Sequence, residues 1–313
     1  MPIHLTPMTR REFLSRSAGA GAVLVLSGWA GGEADPKRKA DPNRFALLSD
    51  THVAADPKAV LRRVNMTDHF RKAAEEAAAL KVRPAAAIFG GDLALLKGLP
   101  SDYRQFAPIL KRLTDAGLAV HLALGNHDHR KNFHTVLAEH KAAKAVLAGR
   151  HVSVVESPRV NWFLLDSLEA TNVTPGRLGA EQLAWLAKAL DARKDKPAIV
   201  LAHHDPHKPP PPQPGKPKRK MNGLRDVDAL FELLAPRRHV KAYVYGHRHR
   251  WWHGKHDGLH LVDIPAVSYV FGKGQPSGWL LADARPDGMD LELRCIDTKH
   301  KAHGQKVRLD WRT

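Results

Sequence analysis

Five short apolar runs in this chain each stop at residues able to bind a cation. Phe45-Ala-Leu-Leu runs into Ser49-Asp50-Thr51-His52, and Ala87-Ile-Phe into Gly90-Gly91-Asp92. Val120-His-Leu-Ala-Leu runs into Gly125-Asn126-His127-Asp128-His129-Arg130. Ile199-Val-Leu-Ala reaches His203-His204, and Tyr243-Val-Tyr reaches Gly246-His247-Arg248-His249. Asp, Asn and His together are hard-to-borderline ligands for divalent metals. A single Asp-x-His pair is common by chance, but five segments ending on such donors are not. Two cations roughly 3.5–4 Å apart clamp the attacking and leaving oxygens of a displacement at phosphorus. Such a centre needs a bridging carboxylate, terminal ligands and open positions. Asp92 stands alone among apolar and glycine neighbours, which suits the bridge. Asp50 and His52 are two apart, as are His247 and His249, so on extended backbone each pair points one way. Asn126 adds a neutral oxygen. Of the adjacent His203 and His204 only one is needed, and His203 follows its strand without an insertion.

The donors can meet only if the strands that carry them lie side by side. Short apolar runs bounded by turn residues read as buried strands: Phe45–Leu48, Ala85–Phe89, Val120–Leu124, Val152–Val155, Trp162–Leu165, Ala198–Leu201, Ala242–Tyr245, Leu259–Ile264, Trp279–Ala282 and Leu291–Ile296. Helical spacing places helices at Thr67–Leu80, from an N-cap at Ser101 to Gly117, from Arg130 toward Ala148, at Gly179–Asp191 and at Asp226–Leu234. The β-α-β-α-β order of the first part implies parallel strands joined by right-handed crossovers. Open α/β sheets bind their ligands beyond the carboxyl ends of such strands.

Residues 1–34 are set apart from this domain. Thr9-Arg10-Arg11-Glu12-Phe13-Leu14 precedes a weakly apolar run from Ser17 to Ala30, which reads as an export signal of the twin-arginine type. The run is short for a span of roughly 20 residues, so no stable membrane span is expected once the signal is removed, and the protein is expected in the periplasm or otherwise exported. Residues 35–44 read as a linker and 45–313 as one domain. Within it, residues 207–222 form a basic Pro-rich loop, either a flap over an anionic substrate or a solvated insertion. Cys295 is the only cysteine, so no intrachain disulfide forms; it reads as a small core residue. The formal charge of +17 favours anionic partners, among them phosphate esters, nucleotides and nucleic acid.

Taken in order, Asp50-x-His52, Gly91-Asp92, Gly125-Asn126-His127-Asp128, His203 and Gly246-His247-x-His249 resemble the calcineurin-like metallophosphoesterase superfamily, over nearly all of residues 45–313. Gly176-x-Leu178 with Glu181-Gln182 and Trp185-Leu186 is similar to the middle of its bacterial phosphodiesterase-like branch. The resemblance implies an α/β fold, a four-layer α-β-β-α sandwich of two mixed β-sheets packed face to face with helices outside. It implies two divalent or trivalent ions, Mn, Fe or Zn. Asp50, His52, Asp92 and His249 would hold one, and Asp92, Asn126, His203 and His247 the other. His127 would touch the substrate phosphate and protonate the leaving group, with Asp128 orienting it through a hydrogen bond. The purple acid phosphatases of this superfamily carry a tyrosine three positions after the bridging aspartate; Leu95 stands there, so a tyrosinate-coloured iron site is not expected.

The expected activity is metal-dependent hydrolysis of phosphodiesters or phosphomonoesters, nucleotides included, by a metal-bridging hydroxide. The expected partner is a phosphorylated small molecule. Arg248 would neutralise charge on the phosphoryl oxygens or point outward. His129 and Arg130 would line the phosphate pocket or cap the next helix. The alternative is a basic nucleic-acid-binding protein, or a nuclease of the same superfamily. No recognition helix, zinc-finger spacing or aromatic sheet motif supports a pure binding module.

Overall fold

Apolar side chains that alternate along one segment and recur every three to four residues along the next can bury both only in layers. The computed structural model, which describes residues 39–140, 146–209, 211 and 220–313, has that arrangement. The first half runs β1 (Ala40–Leu48), a small hairpin of β2 (Val60–Leu61) and β3 (Val64–Asn65), α1 (Met66–Ala79), β4 (Arg83–Phe89), α2 (Pro100–Asp115), β5 (Ala119–Leu122) and α3 (Arg130–Val136). Next come β6 (Ser153–Glu156), β7 (Asn161–Leu164), α4 (Ala180–Asp191), β8 (Ala198–Leu201), α5 (Val227–Leu234) and β9 (Val240–Tyr245). The chain closes with β10 (Trp252–His256), β11 (Leu259–Asp263), β12 (Gly278–Ala284), β13 (Gly288–Cys295) and β14 (Lys306–Asp310).

Two six-stranded mixed sheets result, ordered β14-β13-β12-β1-β4-β5 and β10-β11-β9-β8-β7-β6. β1, β4 and β5 are parallel neighbours, as are β7, β8, β9 and β11; the remaining pairings in these two sheets are antiparallel. One apolar layer, including Phe45, Leu47, Trp162, Ile199, Val244 and Cys295, lies between the sheets. A second packs α1 and α2 on the first sheet through Phe70, Phe89, Phe106 and Leu110. A third packs α4 and α5 on the second through Leu186, Leu190, Leu230 and Tyr243. This is the expected four-layer sandwich.

Several boundaries depart from the sequence reading. β1 starts at Ala40, inside the expected linker 35–44: Ala40 and Asp41 pair with Arg83 and Pro84 of β4 before the register shifts ahead of Phe45. Backbone pairing of this kind leaves no mark on side-chain polarity. α2 is capped at Leu99 rather than Ser101, because Pro100 tolerates the first helical position and Asp102 accepts from the Leu99 N–H at 2.9 Å. The helix after Arg130 ends at Val136, followed by a single 3-10 turn at Ala138–His140. β2, β3, β10 and β14 were not expected; they are short or largely solvated, so no apolar run marks them. The signal segment 1–34 lies outside the described residues, as do 210 and 212–219 of the basic loop 207–222. Among the described residues no helix is long and apolar enough to cross a membrane.

Candidate metal centre

All five donor segments leave the carboxyl ends of parallel strands: β1, β4, β5, β8 and β9. Adjacent parallel strands end together, so their exit loops gather on one edge. Two groups of donors form there. Asp50, His52 and His249 bring one ligand atom each within 4.8 Å of one another, and so do Asp92, His203 and His247.

The pairs do not converge for the expected reason. Asp50, His52, Asp92, His247 and His249 all have positive φ, between 46° and 69°. Left-handed backbone is costly for residues with a Cβ, and where it persists the surroundings enforce it. Asp50-x-His52 and His247-x-His249 are therefore not extended segments. Each is wound so tightly that alternate side chains turn inward. The loops also touch: a Cβ on Gly125 would overlap the Asp92 carboxylate, and one on Gly246 would overlap Ser49 and Asp50.

Asp92 faces both groups. Its Oδ2 lies 3.6 Å from His52 Nε2 and 3.3 Å from His203 Nε2. Its Oδ1 accepts from the His127 N–H at 2.8 Å. Asp50 Oδ1 lies 3.3 Å from His249 Nε2, while Ser49 Oγ donates to Asp50 Oδ2 at 2.6 Å. Main-chain carbonyls, which only accept, fix the tautomers. His203 Nδ1 meets Gly90 O at 2.8 Å and His249 Nδ1 meets Tyr269 O at 2.6 Å, so their Nε2 atoms face the centre. His247 is reversed: Nε2 meets Asn222 O at 2.9 Å and Nδ1 faces inward.

Electrostatics prepares Asp50, Asp92, His52 and His247 for ligation, while His203 holds a proton against Asp92 that a bound cation would displace. Burial opposes charge on Asp50 and Asp92, but His249 beside the first and His203 beside the second hold both carboxyls below the usual range. Burial pushes His52 down to about 3 and His247 down to about 4, which leaves them neutral with a free lone pair. His203 is also opposed by burial, yet the Asp92 and Asp50 carboxylates outweigh it and push His203 up to about 9.

The residues fit metal ions on these observations. Asn126 Oδ1 is buried with no hydrogen-bond partner. His52 Nε2 and His249 Nε2 stand 3.0 Å apart, two inward-facing nitrogens of which the second has its proton committed elsewhere. Both nitrogens face the same space beside the Asp50 and Asp92 carboxylates, as the ligands of one ion do. Asp50, His52, His249 and Asp92 could hold one ion, and Asp92, Asn126, His203 and His247 another. The donors are oxygen and nitrogen only; Cys295 is buried between the sheets.

The other expected residues divide. His127 is half-buried, stands edge-on to His52 at 5.3 Å, and has Nδ1 held by Leu96 O at 2.9 Å. It is therefore Leu96, not Asp128, that orients His127. Asp128 is fully buried and accepts from Gly125 N at 2.8 Å, Leu93 and Ala94 N at 3.2 Å each, and Tyr103 Oη at 3.0 Å. It ties the Asp92 loop to the Asn126 loop. Burial and the nearby Asp92 push its carboxyl up to about 6 against those donors.

His129 and Arg130 each have a structural partner. His129 is the N-cap of α3, its Nδ1 accepting from Asn132 N at 3.3 Å. Arg130 makes a two-pronged pair with the buried Asp166, at 2.7 and 2.8 Å. Arg248 is exposed and reaches Asp205, buried, at 3.6 Å. His204 lies outside both donor groups; its Nδ1 is paired with Ser167 Oγ at 2.7 Å, and burial lowers its pKa well below the usual value.

Sequence reasoning missed Ser268, Tyr269 and Phe271. Ser268 Oγ donates to Asp50 O at 2.6 Å. Tyr269 stacks on His52 at 5.3 Å and lies 4.7 Å from His249. The signal was present in Leu259–Ile264 followed by Pro265-Ala-Val-Ser268, one more apolar run ending at a turn, but without a metal-binding side chain.

The profile of the family described as "Calcineurin-like phosphoesterase" matches residues 43–251, well over half of the chain and all five donor segments. The chain belongs to the calcineurin-like phosphoesterase family. It is a metal-dependent phosphoesterase with two His/Asp clusters for a binuclear centre. It is 27% identical over 257 residues to a Synechococcus protein named "Probable cyclic nucleotide phosphodiesterase", covering 81% of this chain and 92% of that one. It is 26% identical over 254 residues to the 3',5'-cyclic adenosine monophosphate phosphodiesterase of Vibrio vulnificus, covering 80% and 85%. In fold it is similar to a dimetal phosphatase from Danio rerio, with TM-score 0.65 at 15% identity over 87% of this chain and 100% of the other.

Proposed function

We propose that this phosphoesterase hydrolyses cyclic nucleotides, opening the ring diester to a nucleoside monophosphate. The match to the Vibrio vulnificus cyclic AMP phosphodiesterase over 80% of the chain carries this reading. The placement of Asp92 between two donor groups, beside a half-buried histidine, supports it. In this reading Asp50, His52, Asp92, Asn126, His203, His247 and His249 are the ligands. The chemistry that two such ions supply when bound is Lewis acidity toward the phosphoryl oxygens and an ionised water at neutral pH. The donor set suits Mn, Fe or Zn.

The protein's own groups do the rest. With Nδ1–H donated to Leu96 O, His127 presents Nε2 to the substrate. In its cationic form it hydrogen-bonds a phosphoryl oxygen and gives its proton to the leaving ribose oxygen. Arg248 on the rim attracts the anion. Asp128, through the loop backbones it ties, keeps His127 and Asp92 in register.

The N-terminal segment belongs to the same proposal. Arg10 and Arg11 address the protein to the twin-arginine route, which exports proteins already folded and so lets the ions be loaded first. Arg10→Lys/Arg11→Lys should hold the protein in the cytoplasm, and undiminished export would refute this.

The test of activity is release of AMP from 3',5'-cyclic AMP by metal-loaded protein, with chelator and Asp92→Asn controls. Turnover abolished by both is the expected result. Bis-p-nitrophenyl phosphate cleaved in a metal-dependent way, with cyclic AMP and cyclic GMP untouched, would retain the phosphoesterase and reject the substrate.

A further inference from the structure

The second group at the site is aromatic. Phe271 is 56% exposed, unusual for a phenyl ring, and lies 4.4 Å from the His249 imidazole. Tyr269 stands 5.8 Å from Phe271 and packs against both His249 and His52. Over this pair reaches Arg62, its guanidinium 4.9 Å from the Phe271 centroid and 5.9 Å from that of Tyr269.

Arg62 is placed by its backbone. It and Arg63 form the two-residue tip between β2 and β3, with φ of 50° and 68°. Positive φ at both central positions is the tight hairpin turn that normally selects Asn-Gly. Two arginines there carry a conformational cost that a solvated loop has no reason to bear. The hairpin is anchored beneath, where Val64 and Ala59 pack on Ala54, Met66 and Tyr269. Thus a half-exposed phenyl ring and the planar cation over it are set at the edge of the metal site by elements that hold none of its donors.

We propose that Phe271 and Arg62 form a stacking clamp for the base of the nucleotide. This rests on the cyclic-nucleotide reading of the same site. The base takes the face of Phe271 that Arg62 now covers, and the guanidinium swings out to stack on the base's far side. Arg62 is exposed and its side chain reorients on the picosecond-to-nanosecond scale. Stacking is tolerant of base identity, since every base has a π-face. The clamp therefore selects nucleotides over phosphodiesters without a ring and discriminates little between adenine and guanine. Because Phe271 touches His249 rather than the reacting atoms, the clamp acts on binding.

The experiment compares 3',5'-cyclic AMP with glycerophosphoethanolamine, a diester without a planar ring, in wild type, Phe271→Leu, Phe271→Trp and Arg62→Gln. Metal content is measured for each. Leucine keeps apolar bulk but loses the π-face, so KM for cyclic AMP should rise roughly 5- to 150-fold with kcat nearly constant, the range that loss of one base–aromatic stack gives. The ratio of kcat/KM between the two substrates should fall accordingly. Phe271→Trp should restore it, and Arg62→Gln should lower it less than leucine does. An unchanged KM for cyclic AMP in Phe271→Leu overturns the clamp and leaves the proposed function standing. Equal losses on both substrates, with metal lost, would make Phe271 a cover for His249 and also overturn it. No hydrolysis of any cyclic nucleotide by the wild type would remove the proposed function and the clamp together.

Discussion

Replacing Asp128 by Asn separates two roles that the same residue could have. If Asp128 polarised His127, the substitution would move the pH dependence of turnover. The structure gives it a different task. Four donors converge on its carboxylate: the N–H groups of Gly125, Leu93 and Ala94 and the hydroxyl of Tyr103. An amide keeps one oxygen and turns an NH2 group toward the remaining donors. Two buried donors then lose their acceptor, each at about 1–3 kcal/mol. Removal of a buried charge offsets part of this, leaving about 3 kcal/mol of destabilisation. At roughly 2–4 °C per kcal/mol for a large domain, Tm should fall by about 6–12 °C. Leu93 and Ala94 follow Asp92 directly, and Gly125 precedes Asn126, so metal affinity should fall as well. Thermal unfolding of the chelated protein, ion content by mass spectrometry and the pH–rate profile of the reloaded enzyme check these points. An unchanged Tm with a shifted alkaline limb of the profile, where His127 would lose the proton it donates, would refute the reasoning and return Asp128 to His127.

Other substitutions test neighbouring assignments. His203→Gln should remove bound metal, whereas His204→Gln should lower stability with metal content retained; the reverse in metal analysis would exchange the two. Arg130→Ala should destabilise by about 2 kcal/mol, below the 3–5 of a fully buried pair because a quarter of the Arg130 side chain is solvated, with Asp166 left buried. A tenfold rise in KM at unchanged stability would instead place Arg130 on the phosphate. The pH response of the chelated protein has a definite sign. Burial lowers His121, His140 and His151 below the ordinary 6.5, so the unfolded chain takes up protons that the fold resists. Their contribution to stability is complete above 6.5 and is lost as pH falls below it. His121→Gln/His140→Gln should flatten that slope in urea titrations from pH 7.5 to 5.5, and an unaltered slope would count against it.

What was legible in the sequence follows the side chains that carry a pattern. Buried parallel strands are near-continuous apolar runs, so β4, β8 and β9 stand out, and the donors at their ends stand out with them. Edge strands such as β10 and β14 face water and resemble loops. β1 reaches back to Ala40 through backbone pairing, which composition does not report. Capping by Leu99 and the orientation of His127 by Leu96 O also depend on main-chain groups, which every residue has. The exposed Phe271 was invisible for the opposite reason: one phenylalanine in a glycine-bearing stretch has no periodicity to mark it.

The conformation of the ligand loops explains why the positions of the donors could be read more readily than their geometry. The carboxyl ends of the strands determine which loops can meet, and apolar runs reveal where those strands end. The orientation of each donor depends on left-handed backbone at Asp50, His52, Asp92, His247 and His249, a state those residue types do not favour on their own. It is imposed by contacts between loops distant in sequence. Gly91 and Gly125 let the Asp92 and Asn126 loops touch, Asp128 joins them, and Ser268 holds the carbonyl of Asp50. The same interlocking fixes each imidazole by a carbonyl from another segment: Gly90 for His203, Asn222 for His247, Tyr269 for His249. The centre is therefore a property of the assembled edge, so a substitution in any one loop should be felt at donors carried by the others.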